Sequence, residues 1–392
     1  MQDFNFQCKT ELIFGKGTEQ KAGSETARYS DNILLVYGGG SIKKTGLFEK
    51  VTKSLIENKI KYTELSGVKP NPELGLVHEG IKICREKNIG FILAVGGGSV
   101  IDTAKAIAMG FYYEGDVWDF FSGKSQPEKA LPIGTVLTLA AAGSEASQST
   151  VITNENGRIK KGFNCNLSRP SFSIMNPELT YTLPTHQTFY GIIDMMSHVH
   201  ERFFTNVENN DLTDLLSVAV LKTIIKNALI LIDNPNDYDA RSQIMLSGTF
   251  AHNDLTGMGR IGDFATHNIE HELSAFYGVI HGAGIAVISI AWMKFVYEKK
   301  LSIFAQYARE VWNVSAEFGN EKDIASEGIK RFKAFIQKID VPVNLQELGL
   351  PQNISENFHF MAEKCAGDKT LGNLVKINMN DVIKIFEIAD ME

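Results

Sequence analysis

The sequence predicts two domains in tandem: an N-terminal α/β domain with a mostly parallel sheet over residues 1–180, and an all-α domain over 181–392. Three observations carry this reading. In the first half, short apolar runs alternate with helical patterns, and strand–loop–helix units of that kind imply a parallel sheet covered by helices. Around Tyr181-Thr-Leu-Pro184 the pattern changes to long apolar-periodic segments with few β-rich alternations. The chain has 392 residues and is 44% hydrophobic, enough to bury two cores.

In chain order, residues 32–37 (NILLVY) read as a strand ending at Gly38-Gly39-Gly40-Ser41, with a helix over 47–58. Residues 90–95 (GFILAV) form a second strand that runs into Gly96-Gly97-Gly98-Ser99 and a helix over 100–109. A third run, 131–139, leads into Ala140-Ala-Ala-Gly143-Ser-Glu145. Such loops gather at the carboxyl edge of a parallel sheet, where ligands bind. Segments 122–130 and 154–170 read as flexible loops, and Trp118, Phe120 and Phe121 either line an apolar pocket or pack beneath a loop. Helices are expected at about 186–205, 211–232, 238–256, 262–275, 281–299, 301–312 and 322–338.

Composition excludes several classes of partner. With 39 basic and 46 acidic side chains the net charge is -7, and no basic tail or stripe offers itself to nucleic acid or an anionic membrane. The first residues, MQDFNFQCKTELIFGKG, carry early charges and no apolar run of signal-peptide length. The most apolar helical stretch, 215–232, contains Lys222, Lys226 and Asn227 and reads as a buried core helix rather than a membrane span. Cys8, Cys84, Cys165 and Cys365 form no close pair, so a reducing, cytoplasmic setting is expected.

Two glycine loops are candidates for phosphate binding. Gly97, Gly98 and Ser99 sit between a strand and a helix, where free backbone N–H groups and the helix dipole stabilise a pyrophosphate. Asp102 is expected in the first helical turn, capping it or accepting a bond from a cofactor amide. A tight strand-to-helix turn would use the same glycines, and the string is neither GxGxxG nor GxxxxGK[ST]. The earlier loop, Gly38, Gly39 and Ser41 followed by Lys43 and Lys44, favours NADP(H) over NAD(H). It has no acidic residue for the ribose 2′-hydroxyl, while a hydroxyl and two lysines suit a 2′-phosphate.

Further on, DMMSH places Asp194 and His198 on one helix face, and HNIEH does the same for His267 and His271. His281 follows just past Gly278. One carboxylate and three imidazoles, Asp194, His198, His267 and His281, form a complete set for Fe(II) or Zn(II), with a position left for substrate. His271 is then available to handle a proton.

These strings resemble the iron-containing, or group III, alcohol dehydrogenases, and most closely their NADPH-dependent butanol dehydrogenase or aldehyde reductase branch. The matching strings are YGGGSIKKTG at 37–46, AVGGGSVIDTAKAIA at 94–108, NPELTYTLP at 176–184 and GIIDMMSHVHE at 191–201. IGDFATHNIEHELSAFYGVIHGAG at 261–284 and AGDKTLGN at 366–373 extend the match in family order over almost the whole chain. The resemblance implies an N-terminal Rossmann-like α/β domain and an all-α C-terminal domain, the dehydroquinate synthase-like fold. It implies Asp194, His198, His267 and His281 as metal ligands and His271 beside the nicotinamide, orienting substrate or relaying a proton. It further implies Gly97, Gly98, Ser99, Asp102, Thr138 and Lys160 at the cofactor, and Leu179 on its adenosine side. Reversible hydride transfer between NADP(H) and a butanal/butanol-like pair follows, in a homodimer. An NAD-dependent polyol dehydrogenase and a metal- and NAD-dependent lyase are the alternatives. Ala142 departs from the threonine many relatives carry, which removes one hydroxyl contact and puts substrate preference, not reaction type, in question.

Overall fold

A computed structural model describes residues 1–391. The chain divides into two compact units, one over Gln7–Leu183 and one from Pro184 onward that also takes in Met1–Phe6.

The first unit is built on a six-stranded, wholly parallel sheet. Its strands are β1 (Glu11–Phe14), β2 (Asn32–Tyr37), β3 (Lys61–Leu65), β4 (Phe91–Gly96), β5 (Ile133–Leu137) and, after a separate hairpin, β8 (Phe172–Met175). Their order is β1-β8-β5-β4-β2-β3. Residues 33–36 and 91–95 are apolar without alternation because both faces of a parallel sheet are covered, and all of them are buried. Phe91, Tyr29 and Phe172 form a triangle of rings, with centroid distances of 5.1 Å (Tyr29–Phe91), 5.8 Å (Phe91–Phe172) and 6.1 Å (Tyr29–Phe172). From β2 the chain steps outward to β3 and then returns to place β4, β5 and β8 on the other side. The strand order therefore reverses between β2 and β4, the position at which open α/β sheets leave a crevice for ligands.

Several elements escape the sequence pattern. Strands β1 and β3 lie at the sheet edges and carry exposed charged residues, and β8 is only four residues long. Residues 154–170, expected as a flexible loop, instead contain β7 (Ile159–Asn164). It pairs antiparallel with β6 (Ser149–Asn154), with Thr153 opposite Lys160. The turn uses left-handed backbone at Gly157 (φ 92°) and Arg158 (φ 51°), and IKKGFN has too few apolar residues to announce a strand.

The second unit is helical. Its principal helices are Thr185–Phe203, Asp211–Asp233, Tyr238–His252, Ala265–Tyr277, His281–Val296, Leu301–Glu310, Glu321–Lys338, Phe358–Cys365 and Met379–Met391. His281–Val296 is apolar on all sides and buried from Gly282 to Met293, which makes it the central rod. The division falls at Leu183/Pro184, and residues 1–6 depart from the expected 1–180 assignment. Gln2 N donates to Gly259 O at 2.9 Å, and the Met1 ammonium donates to Glu208 O at 2.8 Å. Helix Asp211–Asp233 is the one helix among the described residues long and apolar enough to cross a membrane by length and composition. It is a core helix on one face only: Leu221, Ile224 and Leu231 are buried, while Leu212 and Leu215 are 65% and 62% exposed.

Phe91 on the central strand β4 packs in the cluster of three aromatic rings beside Tyr29 and Phe172. Phe91→Ala is expected to lower stability by about 3–5 kcal/mol, the usual cost of emptying a buried phenylalanine site. Urea unfolding of the parent and variant checks this.

Candidate functional site

In the first unit, Gly38–Ser41 follow β2 and Gly97–Ser99 follow β4, so the two glycine loops flank the point of strand-order reversal. A Cβ at Gly96 would collide with Val100 at 2.5 Å, and one at Gly97 would be tight against Leu139 at 3.0 Å. Nothing lies near a Cβ at Gly39 or Gly40, and Gly40 has φ 101°. That openness suits a ligand close to the backbone. Thr138 N donates to Gly96 O at 3.1 Å, tying the end of β5 to the second loop.

The helix after that loop begins at Gly98 rather than 100, which puts Asp102 in its second turn instead of the expected first. Both Asp102 oxygens are engaged, by Ser144 Oγ at 2.6 Å and Val151 N at 2.9 Å. Burial raises its pKa, opposed by Lys105, Ser144, Val151 N and Lys160. Lys105, fully buried, donates to Ser144 Oγ, Ser147 O and Ser149 O at 2.9, 3.0 and 2.7 Å. Asp102 and Lys105 thus brace the segment after β5. Lys160, on β7, is buried close enough to act on Asp102, and Leu179 packs on the core formed by Ile33, Leu35 and Tyr37.

Lys43 already has an anionic partner. Its Nζ lies 3.2 Å from Glu64 Oε2 on β3, and Tyr37 Oη donates to the same oxygen at 2.5 Å. The ammonium also sits over the rings of Tyr37 and Phe48, at 5.1 and 4.5 Å from their centroids. Tyr37 and Glu64 raise the Lys43 pKa, and the Tyr37 hydrogen bond, with help from Lys43, lowers that of Glu64 against the opposing effect of burial. Lys44 is exposed. Nothing in the glycine loop itself betrays Glu64, which lies on the neighbouring strand.

The second unit gathers the candidate metal ligands. Asp194 and His198 lie on helix Thr185–Phe203, His267 and His271 on Ala265–Tyr277, and His281 is the first residue of His281–Val296. Gly278 ends the second of these helices in left-handed conformation (φ 70°), letting the chain turn into the third. A Cβ on Gly282 would lie 2.2 Å from Tyr190 O, so two helix backbones touch there, one turn from Asp194. This contact brings His281 to the carboxylate.

Asp194 Oδ1 lies 3.4, 3.8 and 3.7 Å from the Nε2 atoms of His198, His267 and His281. The ligand atoms of Asp194, His267 and His281 all fall within 4.8 Å of one another. His198 sits at the margin of that group, its ring centroid 4.5 Å from that of His267. Asp194 Oδ1 and His267 Nε2 are buried without a hydrogen-bond partner, at roughly 1–3 kcal/mol for each such group. A divalent cation held among them would satisfy both, so donor set and geometry fit the expected metal.

Charges around the cluster are strongly shaped. Burial works against the His267 cation, but Asp194 and Glu201 outweigh it and raise its pKa to about 9. Burial, with His252, His267 and Arg202 nearby, drives that of His198 well below its ordinary value. Glu270, His271 and His281 make a second close group, but Glu270 Oε2 is engaged with His281 Nδ1 and its other oxygen with Ser274 Oγ. The Asp194 group is therefore the better cation site. His271 is half-buried, its ring centroid 5.8 Å from that of His281.

The remaining side chains resolve plainly. His200 is buried, its Nε2 3.0 Å from Tyr307 Oη, and burial lowers its pKa to about 3: a core histidine. Phe120 and Phe121 are buried against Phe163 of the hairpin. Sequence reasoning missed two residues at the cluster, Glu201 and Glu270, which stand behind His267 and His281. His252, which the sequence offers only as a residue that could approach the cleft, has its ring 3.8 Å from that of His198. The i+3 spacings from His198 to Glu201 and from His267 to Glu270 were the available signal for the two glutamates.

A Rossmann-like α/β unit with open glycine loops and a helical unit with an Asp/His cluster define a metal-dependent, nicotinamide-linked oxidoreductase. Residues 9–177 match the iron-containing alcohol dehydrogenase family, and residues 188–389 match the Fe-containing alcohol dehydrogenase family C-terminal domain. The chain belongs to the iron-containing alcohol dehydrogenase family. It is 44% identical over 389 residues to a probable NADH-dependent butanol dehydrogenase 2 of Bacillus subtilis, covering 99% of this chain and 100% of the relative. A probable NADH-dependent butanol dehydrogenase 1 of the same organism is 42% identical, with the same coverage. The crystal structure of NADH-dependent butanol dehydrogenase A from Thermotoga maritima superposes with a TM-score of 0.94 at 39% identity, covering 100% of this chain and 99% of that one.

The Gly282–Tyr190 contact yields a direct expectation. Gly282→Ala forces the two helices apart and is expected to destabilise the protein by about 1–3 kcal/mol, as overpacking does. Zn2+ affinity should fall with it. Thermal melting and a Zn2+ titration on the same samples measure both.

Proposed function

We propose that this chain reduces a short-chain aldehyde such as butanal to the primary alcohol, reversibly, with NADH as the preferred hydride donor. The observation that carries the cofactor choice is the Lys43–Glu64 pair. The sequence reading offered Lys43 to a 2′-phosphate, which favoured NADP(H), but Glu64 pairs with that ammonium and cancels its charge beside the loop. A carboxylate there disfavours a further phosphate and is compatible with a ribose hydroxyl. The NADH-dependent relatives support the same choice.

In this proposal Asp194, His198, His267 and His281 hold a divalent ion, iron or zinc. Gly97, Gly98 and Ser99 accept the pyrophosphate, with Thr138 and Lys160 supporting that loop and Leu179 the adenosine side. When bound, the ion supplies Lewis-acid polarisation of a carbonyl and the reduced nicotinamide supplies hydride. Asp194 and the imidazoles would hold that ion in place, and His271 delivers the proton that completes the alcohol.

Initial rates of NADH and NADPH oxidation with butanal, after separate anaerobic reconstitution with Fe(II) and Zn(II), test the reading. Metal-dependent turnover with a higher kcat/KM for NADH is expected; a preference for NADPH overturns the cofactor choice. His271→Ala is expected to lower kcat by about 10²-fold, as loss of a general acid does, and to flatten the pH–rate profile. An unchanged profile removes its role in proton delivery.

A further inference from the structure

We infer that Glu201 and Glu270 are positioning residues that orient His267 and His281 toward the metal, while His198 is held without such a carboxylate. The inference rests on the reading of Asp194, His198, His267 and His281 as the metal ligands. A neutral imidazole has one lone pair, and the partner of one nitrogen decides which nitrogen presents it. His267 Nδ1 lies 3.0 Å from Glu201 Oε1, and His281 Nδ1 is hydrogen-bonded to Glu270 Oε2. A carboxylate only accepts, so each Nδ1 carries the proton and donates it, and each Nε2 lone pair is turned toward Asp194.

The two carboxylates are built in rather than incidental. Glu201 is 3% exposed and Glu270 is 0% exposed. Glu201 Oε1 also accepts from Thr266 Oγ1 and from His267 N at 3.1 Å, which fixes it across the start of the ligand helix. Glu270 is held by Ser274 Oγ, whose oxygen also reaches Val279 O at 3.1 Å. Its space is kept open by Gly284, where a Cβ would lie 2.8 Å from Glu270 Oε1. Burial of this kind keeps the hydrogen bonds strong and the ring orientations single.

His198 is held differently. Its Nδ1 is buried without a hydrogen-bond partner. The ring is flanked by His252, whose Nδ1 lies 3.2 Å from Arg202 Nη2, and Arg202 Nη1 donates to His198 O at 2.7 Å. Stacking and backbone bonds place this imidazole, but no acceptor fixes its tautomer. Asp194, His267 and His281 therefore carry most of the affinity, and His198 is the ligand most easily dispensed with.

The test is the Zn2+ dissociation constant of the full chain, measured by competition with a chromophoric chelator at fixed pH. Glu201→Gln and Glu270→Gln are each expected to weaken binding roughly 10–100-fold, the usual effect of losing such a partner. Ser274→Ala, which keeps the carboxylate and removes one of its clamps, should weaken it by less, and it carries the test if either glutamine variant does not fold. Thermal melting of chelator-treated protein identifies folding defects. His198→Ala should weaken Zn2+ less than His281→Ala does; the reverse order overturns the asymmetry. Asp194→Ala should abolish stoichiometric binding. Retained binding in that variant defeats the metal-centre reading itself. Loss in Asp194→Ala with parental affinity in Glu201→Gln, Glu270→Gln and Ser274→Ala defeats only the positioning role.

Discussion

A carboxylate buried among imidazoles sets the terms for the helical unit. Asp194 is 5% exposed and its Oδ1 has no hydrogen-bond donor, so compensation must come from positive charge brought to that atom. Three histidines on three helices converge there, which demands helix axes much closer than ordinary side-chain packing permits. Glycine at 282 meets that demand by letting a backbone carbonyl of the neighbouring helix stand where a Cβ would be. Glycine at 284 then makes room for the carboxylate behind His281. The HGAG string is thus a packing device as much as a ligand motif.

In the α/β unit the governing constraint is topological. Two parallel strands whose connections leave in opposite directions open a crevice between them, and both glycine loops begin at the ends of those strands. Charge inside the unit is tightly accounted for. Lys105 serves Ser144, Ser147 and Ser149, Asp102 takes two donors, and Glu64 binds both Tyr37 and Lys43. These groups shape the loops by holding one another.

Legibility in the sequence followed the physics of each element. Strands buried on both faces, such as NILLVY and FILAVG, announce themselves by uninterrupted apolar runs. Edge strands and the β6–β7 hairpin do not, because their pairing is carried by backbone bonds that leave no mark on composition. The histidine cluster was legible because the i, i+4 spacing on a helix is a local property. Glu64, Glu201 and Glu270 act through partners distant in sequence or on another element, and a glutamate on a helix or strand ordinarily reads as a solvated surface residue. Lys43 shows the same limit in reverse: its environment, rather than its presence, decides what it can bind.

The path of the chain between its units has a consequence for modular inheritance. Residues 1–6 are hydrogen-bonded into the helical unit, and the chain then passes through the whole α/β unit before returning at Pro184. In connectivity, the α/β unit is an insertion with two junctions, after Phe6 and after Leu183. A single recombination event at the second junction would pair a foreign α/β unit with a foreign N-terminal strap, mismatched at Glu208 and Gly259. Exchange of the nucleotide-binding half between relatives without that mismatch requires two crossovers, which ties the inheritance of the first six residues to that of the metal-bearing helices.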